Sequence, residues 1–258
     1  MKKLITTLTN IWKIEELRNR ILNTLLFLLI YRIGCHVVLP GVNPDALVVN
    51  REGGNDIMNL INMFAGGSFS RAAIFALGVM PYISASIVVQ LLGIAVPAFQ
   101  KMQKEGESGR KKMTQITRYL TVAITLVQSI AYVKTQIGPE AKTIADPMFS
   151  ILSAIVLTAG TLFVMWLGEK ITDKGIGNGI SLIIMAGIIA QLPAGITAEW
   201  GSRMSPSGGG PIPLLLEFVA LFFVVIFTIL VVQGVRKIPV QYAKKIVGNK
   251  QIGGVRQY

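Results

Sequence analysis

Histidine and cysteine are almost missing from this sequence. Its 258 residues hold one of each, Cys35 and His36. No internal disulfide, cysteine-based metal cluster or histidine pair for a zinc or di-iron site can be built from them. Charge is scarce as well: Asp, Glu, Lys and Arg make up 15%, where an ordinary soluble domain carries about 25%. Acidic residues are the scarcer sign, 13 against 25 basic ones, which leaves a formal +12. With 52% hydrophobic residues and a mean hydropathy of +0.59, too few polar side chains exist to coat a soluble particle. The same aliphatic wealth excludes disorder. A basic excess suggests nucleic acid in a soluble protein. In an apolar chain it can instead record membrane topology, and the position of the charges decides.

Long apolar runs are what the sequence does have. A helix crossing the hydrocarbon core needs about 20 mostly apolar residues. Six stretches qualify: Ile21–Leu39, Ala72–Val96, Ile116–Gln136, Pro147–Gly168, Ile180–Thr197 and Ile212–Gly234. None alternates with the period of a barrel strand, which predicts an all-α membrane protein, a polytopic helical bundle. Met1-Lys2-Lys3 is basic, but Leu4 to Arg20 is mixed polar rather than a short apolar core, so the first run reads as a retained span and not a cleaved signal.

The expected segments are a cytoplasmic stretch 1–20, spans one to five over 21–197, an external loop 198–211, a sixth span 212–234 and a basic loop 235–258. Nineteen of the 25 Lys and Arg, with six acidic residues, fall in 1–20, 97–118, 169–179 and the tail after Gly234. The opposite loops, counted with Lys134 at a span end, hold five basic and six acidic residues. Positively charged loops stay cytoplasmic, so both termini are expected inside.

Two segments fit no plain bundle. Asp56–Ala65 is apolar at helical spacing through Ile57, Leu60, Ile61 and Phe64, yet ten residues rise only about 15 Å. It is either an amphipathic helix on the outer surface or a re-entrant element covered by protein or water. The Gly-rich link Asp173–Ile180 looks like a phosphate loop, and so does Gly106–Lys112, but neither has the G-x-x-x-x-G-K-[ST] spacing. The first reads as a tight turn with Asn178 or Gly179 capping the next helix.

Chemistry inside the spans is sparse. Arg32, Cys35, His36 and Glu217 are the candidates, and each reads as structural. No aspartate pair, Ser–Lys or Ser–His pair is evident at membrane depth, so an enzyme and a cofactor are not expected. A coupled transporter would need a substrate site at a broken helix, at which Pro81 and Ser84/Ser86 only hint. The polar interior positions, Ser84, Ser86, Gln90, Thr121, Thr125, Gln128 and Thr158, serve either a pathway or plain helix packing.

Particular strings then carry a resemblance. Arg32-Ile33-Gly34 leads to Leu39-Pro40-Gly41. Met63-Phe64-Ala65-Gly66-Gly67-Ser68 runs through Ser70-Arg71-Ala72 into Ile74–Ile87. Lys104–Lys111, Met165–Glu169 and Gly175–Ser181 follow in order. Together they closely resemble the N-terminal part of the SecY family, the channel subunit of the bacterial Sec translocon, over essentially the whole chain. The resemblance implies a channel that passes unfolded polypeptides across the bacterial inner membrane and releases hydrophobic helices into it. The fold it implies is the first five-span half of an inverted-repeat channel plus a sixth span, with a short re-entrant plug helix.

By motif position it assigns Val79, Ile83, Ile180 and Ile184 to an aliphatic pore ring. It assigns about Ile57–Ser70 to the plug, with Ile57, Leu60, Ile61 and Phe64 on its apolar face and Gly66 and Gly67 as hinge. Ser84, Gln90 and Gln128 become lateral-gate positions. Arg236, Lys237, Lys244, Lys245 and Lys250 become a contact for the ribosome or SecA, with SecE and SecG as further partners, nascent polypeptides as substrates and membrane lipids around. Where relatives often carry a basic pair at the loop tip, this sequence has Asn249-Lys250. The family has ten spans. The remaining ring members, the other gate wall and the returning side of the basic loop are expected to lie outside these residues.

Overall fold

The computed structural model describes residues 12–47, 61–205 and 209–235, and beyond them the backbone of four short strands. Its long helices are α1 (Glu15–Gly34), α2 (Met80–Ala95), α3 (Pro97–Lys104), α4 (Glu107–Gln136), α5 (Met148–Lys174), α6 (Gly179–Met204) and α7 (Pro211–Gln233). Four of them, α4 to α7, are each long and apolar enough to cross a membrane, and α2 with α3 adds a pair bent by 98°. The bend has a local cause. Val96, before Pro97, is extended (φ −110°, ψ 121°), because proline's ring disfavours helical geometry in the preceding residue. α1 overlaps the first expected span, Ile21–Leu39, but starts earlier, with Glu15 and Glu16 in its first turn, where the helix dipole favours acidic groups. It ends at Gly34 and, unlike α4 to α7, is not among the helices apolar enough to cross by themselves. The chain divides into two compact units, residues 1–194 and 195–258.

In the first unit α4 packs against α5 and α2, α1 against α5, and α3 against α2 and α4. Lipid tails are as apolar as leucine, so close approach and internal hydrogen bonding must hold such helices together. Gly160 of α5 faces the Ile74 carbonyl so tightly that a Cβ has no room. On α4 the buried hydroxyls of Thr117, Thr121 and Thr125 donate to the carbonyls of Met113, Thr117 and Thr121, at 2.9, 2.7 and 2.6 Å. Thr158 does the same to Ala154 on α5, at 2.7 Å. Thr121, Thr125 and Thr158, weighed above as pathway residues, are satisfied within their own helices and pack, as is Thr117.

The second expected span begins differently from its apolar pattern. Residues 65–79 form successive turns, and the helix starts only at Met80. Pro81 therefore occupies the first turn, where its missing N–H costs nothing, instead of breaking a span. The turns need left-handed backbone at Gly66, Gly67 and Gly78 (φ 64°, 81° and 52°) and at Ala72 (φ 47°). Irregular backbone survives at membrane depth only when covered and bonded, and this stretch is both. Leu39 N–H donates to the Ala72 carbonyl at 2.8 Å and Ile74 N–H to that of Val37 at 2.9 Å. The buried Ser68 hydroxyl lies 2.6 Å from the Ala65 carbonyl and 3.0 Å from that of Phe75. Tyr132 of α4 donates to the Phe69 carbonyl at 2.6 Å.

Two apolar clusters result. One gathers Leu39, Phe69, Leu77, Tyr132, Val133, Phe149 and Leu157. The other gathers Tyr31, Phe75, Val79, Val164, Leu167, Ile171 and Ile183.

In the second unit, the end of α6 runs on to Met204, so the expected loop 198–211 is helical in its first half. There Arg203 pairs with Glu199 at 2.8 Å and also with Glu217 of α7, which gives the one acid of the last span a partner. The tail pairs antiparallel in two places, Val240–Gln241 with Arg256–Gln257 and Lys245–Val247 with Lys250–Ile252. This corrects the expectation that the returning side of the basic loop is missing. Two strands go out and two come back within the chain.

Candidate functional site

Four ring candidates come from two helices, two apiece, one turn apart. Val79 caps α2 and Ile83 follows it four residues later, so both point from one face. Ile180 and Ile184 repeat that spacing in the first turns of α6. α6 is positioned by its start: the Asn178 side-chain oxygen accepts from Ile180 N–H at 3.1 Å and Ser181 N–H at 3.3 Å, an N-cap. The Thr172 hydroxyl of α5 accepts from Gly179 N–H at 2.9 Å. Gly179 itself lies against the Gly168 carbonyl without room for a Cβ. The Gly-rich link is thus the tight turn expected, built for close helix approach.

The structure brings Val79, Ile83 and Ile184 to one cavity of about 200 Å³, walled also by Phe64, Ala65, Leu77, Gly78 and Met80. No charged or hydrogen-bonding side chain stands in that wall. Ile180 lies outside the wall but packs beside Ile184 on the cluster that contains Val79 and Ile183. Such a pocket cannot hold a metal, a nucleotide or a catalytic pair; it can exclude water and ions. Among the described residues no group of His, Cys, Asp or Glu is arranged to bind a metal.

The plug candidate meets this cavity from its own side. Residues 61–64 are helical, Phe64 stands in the cavity wall, and Ile61 packs on the first apolar cluster. Ile57 and Leu60 lie outside the described residues. At the glycine pair, Arg32 of α1 donates to the Gly66 carbonyl at 3.0 Å and Arg71 to the Gly67 carbonyl at 3.1 Å. Gly187 of α6 comes so near that a Cβ there would sit 2.9 Å from the Phe64 carbonyl. Of the two readings open for Asp56–Ala65, its described end follows the re-entrant one, packed against protein.

Ser84 and Gln90 are exposed on α2, in a face with Ile87, Leu91 and Ile94, whereas Gln128 of α4 is half-buried. Ser84 donates to the Met80 carbonyl and Gln90 to Ser86, each at 3.2 Å. Arg236, Lys237 and Lys244 lie outside the described residues. For Lys245 and Lys250 the structure supplies backbone register alone, opposite Ile252 and Val247.

Sequence reasoning passed over Gly187, gave Leu77 and Met80 no role although both lie in the Ile74–Ile87 string, and did not foresee the bond of Arg32.

The SecY family model matches residues 73–258. The chain belongs to the SecY family. Among curated SecY relatives, each a protein translocase subunit SecY, that of Halalkalibacterium halodurans is 41% identical over 255 residues, covering 96% of this chain and 59% of the relative. That of Streptomyces scabiei is 39% identical, covering 99% and 61%, and that of Staphylococcus aureus strain NCTC 8325 is 44% identical, covering 94% and 58%. The chain therefore spans about three fifths of the length of these SecY proteins. Among solved structures, a protein-conducting channel superposes with a TM-score of 0.51 at 17% identity, covering 93% of this chain and 52% of the other. Sec61 in a canine ribosome–channel complex from the endoplasmic reticulum follows at 0.50 and 18%, covering 92% and 53%. These likenesses show a shared fold. With its membrane-length helices, this SecY-family chain is a multi-pass membrane protein.

Proposed function

We propose that this chain forms one side of a protein-conducting channel, which passes unfolded polypeptides across the bacterial inner membrane and lets hydrophobic helices leave sideways into lipid. The observation that carries the reading is the apolar cavity in which Val79, Ile83 and Ile184, from two helices, meet Phe64 of the short outer helix. A collar of branched side chains excludes water and ions when shut and offers a sliding chain no fixed hydrogen bonds. Ile180 completes this side of the ring, residues 57–70 are the plug, and Ser84, Gln90 and Gln128 line the lateral gate. The chain acts without catalysis and without a cofactor.

The N-terminus is cytoplasmic, as the sidedness of Lys and Arg supports. Arg236, Lys237, Lys244, Lys245 and Lys250 meet ribosomal RNA phosphates or SecA, and SecE and SecG complete the assembly. The test is a cross-linking scan in the complete channel. With a nascent chain arrested in transit, photo-reactive groups at positions 79, 83, 180 and 184 are expected to capture it. Capture confined to lipid-facing positions such as Phe222 would overturn the pore assignment.

A further inference from the structure

Arg32 stands near the outer end of α1, a helix of which it is the one charged residue beyond Arg20. A charge at such depth is costly and is kept where it has a partner. Its partner is not an acid. Among the described residues its guanidinium donates to the backbone carbonyl of Gly66, 34 residues away, at 3.0 Å.

That carbonyl belongs to the glycine pair through which residues 61–64 join the turns up to Val79. Both glycines have left-handed backbone, with φ of 64° and 81°, open to large rotation because neither carries a Cβ. The stretch after the pair is anchored to other parts of the unit. Phe69 accepts the Tyr132 hydroxyl, Ile74 N–H donates to the Val37 carbonyl, and Leu39 N–H donates to the Ala72 carbonyl. The stretch before it rests on apolar contact at Ile61 and Phe64, and Asn62 bonds locally, its side chain accepting Ser70 N–H at 3.0 Å and its carbonyl Gly67 N–H at 2.9 Å. Arg71 holds Gly67, but from four residues along the same segment. Arg32 is thus placed where a different span grips the hinge itself.

We infer that Arg32 is a positioning residue that holds the plug in its seat: its bond to Gly66 ties the hinge to α1, and must break before residues 61–64 can swing away from the cavity. This rests on the plug reading proposed above. Apolar packing alone is a weak restraint for such a short segment, because lipid or a passing chain replaces it at little cost. A charge-assisted hydrogen bond in a poorly hydrated place is a stronger and more directional one. The arrangement also suits an arginine better than a lysine. The arginine's planar fork reaches a carbonyl that a lysine, a point charge on a flexible stem, grips less well.

The experiment measures ion flux through the resting complete channel, with its partner subunits, in proteoliposomes without substrate. Arg32→Met is expected to raise resting flux about tenfold, the factor that ~1.4 kcal/mol represents. Arg32→Lys, which keeps the charge and folds more readily, is expected to give a smaller rise. A channel lacking residues 57–67 is expected to leak by itself, and there Arg32→Met is expected to add nothing.

If the deletion leaks but neither Arg32 variant does, the positioning role is overturned while the plug reading stands. If the deletion itself does not leak, the plug reading fails and the inference with it. A further rise from Arg32→Met in the deleted channel would mark general damage, and would also overturn the inference. Should Arg32→Met not assemble, Arg32→Lys decides: flux equal to that of the unsubstituted channel overturns it.

Discussion

α5 and α7 are both apolar helices of membrane length, yet they are treated in opposite ways. Half of the apolar window of α5 is buried, and none of that of α7, although α7 is the more hydrophobic, with a mean hydropathy of 3.0 against 2.1. In water the greasier helix would go inside. In a bilayer hydrophobicity does not choose partners, because lipid satisfies it as well as protein does. Small and hydroxyl-bearing residues choose. α5 buries Ser153, Ala154, Thr158, Gly160, Thr161 and Gly168, and its neighbours come close along that stripe. α7 presents Phe222, Phe223, Val224, Phe227 and Leu230, each well exposed.

The sharpest way to break the comparison is to enlarge the small stripe. Gly160→Val would push a side chain into the Ile74 carbonyl and the Phe75 ring, and the cost expected is about 3 kcal/mol. On α7, Phe222→Ala removes far more volume, yet is expected to change stability by less than ~0.5 kcal/mol. Reversible unfolding of both variants in detergent or bicelles measures this. Equal losses would mean that α7 is covered as closely as α5.

A smaller effect separates packing from hydrogen bonding along α4. Thr125→Val keeps the shape and removes a bond to the Thr121 carbonyl of 2.6 Å. Hydrogen bonds between membrane helices average about 0.6 kcal/mol, and this one joins no second helix, so a loss of that order or less is expected, with no rise in resting ion flux. A marked rise in flux would return Thr125 to the pathway from which its packing removes it.

The smallest effect lies in the connection into α5. Asp146 accepts from Lys142 at 2.8 Å and from Ser150 at 3.0 Å. The hydrogen bond from Lys142, helped by that from Ser150, holds its carboxyl below the usual carboxylate range. A lowered folded value means that the stabilisation is present above the ordinary range and is lost as pH falls through the folded value. As pH falls below the usual carboxylate range, stability should therefore lose a small, salt-screened contribution that Asp146→Asn lacks throughout. Parallel pH profiles for the two proteins would remove the pair from the account.

Much of this was legible in advance, for identifiable reasons. Spans announce themselves because about 20 apolar residues have no other common use. The tight start of α6 was readable from Gly175–Asn178, whereas the pairs Val79/Ile83 and Ile180/Ile184 were singled out only by the resemblance to the SecY family. The late start of α2 was not readable. Hydropathy cannot separate a buried apolar turn from a buried apolar helix, and Ala72–Val79 is as apolar as α2 itself. The role of Thr121, Thr125 and Thr158 was equally open, because a threonine that bonds its own helix and one that lines a passage have the same neighbours in sequence. For Arg32 the sequence showed the charge but not the carbonyl that receives it.

Sequence alone determined that this is a helical membrane protein, which family it belongs to, and which loops carry the positive charge, because each is a matter of composition, order and local spacing. Only the tertiary structure decided that residues 65–79 are turns, since Tyr132, Leu39 and Val37 bond the backbone at Phe69, Ala72 and Ile74 and local turns bond much of the rest. It likewise decided that Phe64 closes the cavity beside Val79, Ile83 and Ile184, and that Arg32 reaches Gly66. Those contacts join residues far apart in the chain, and no local pattern encodes a distance in space.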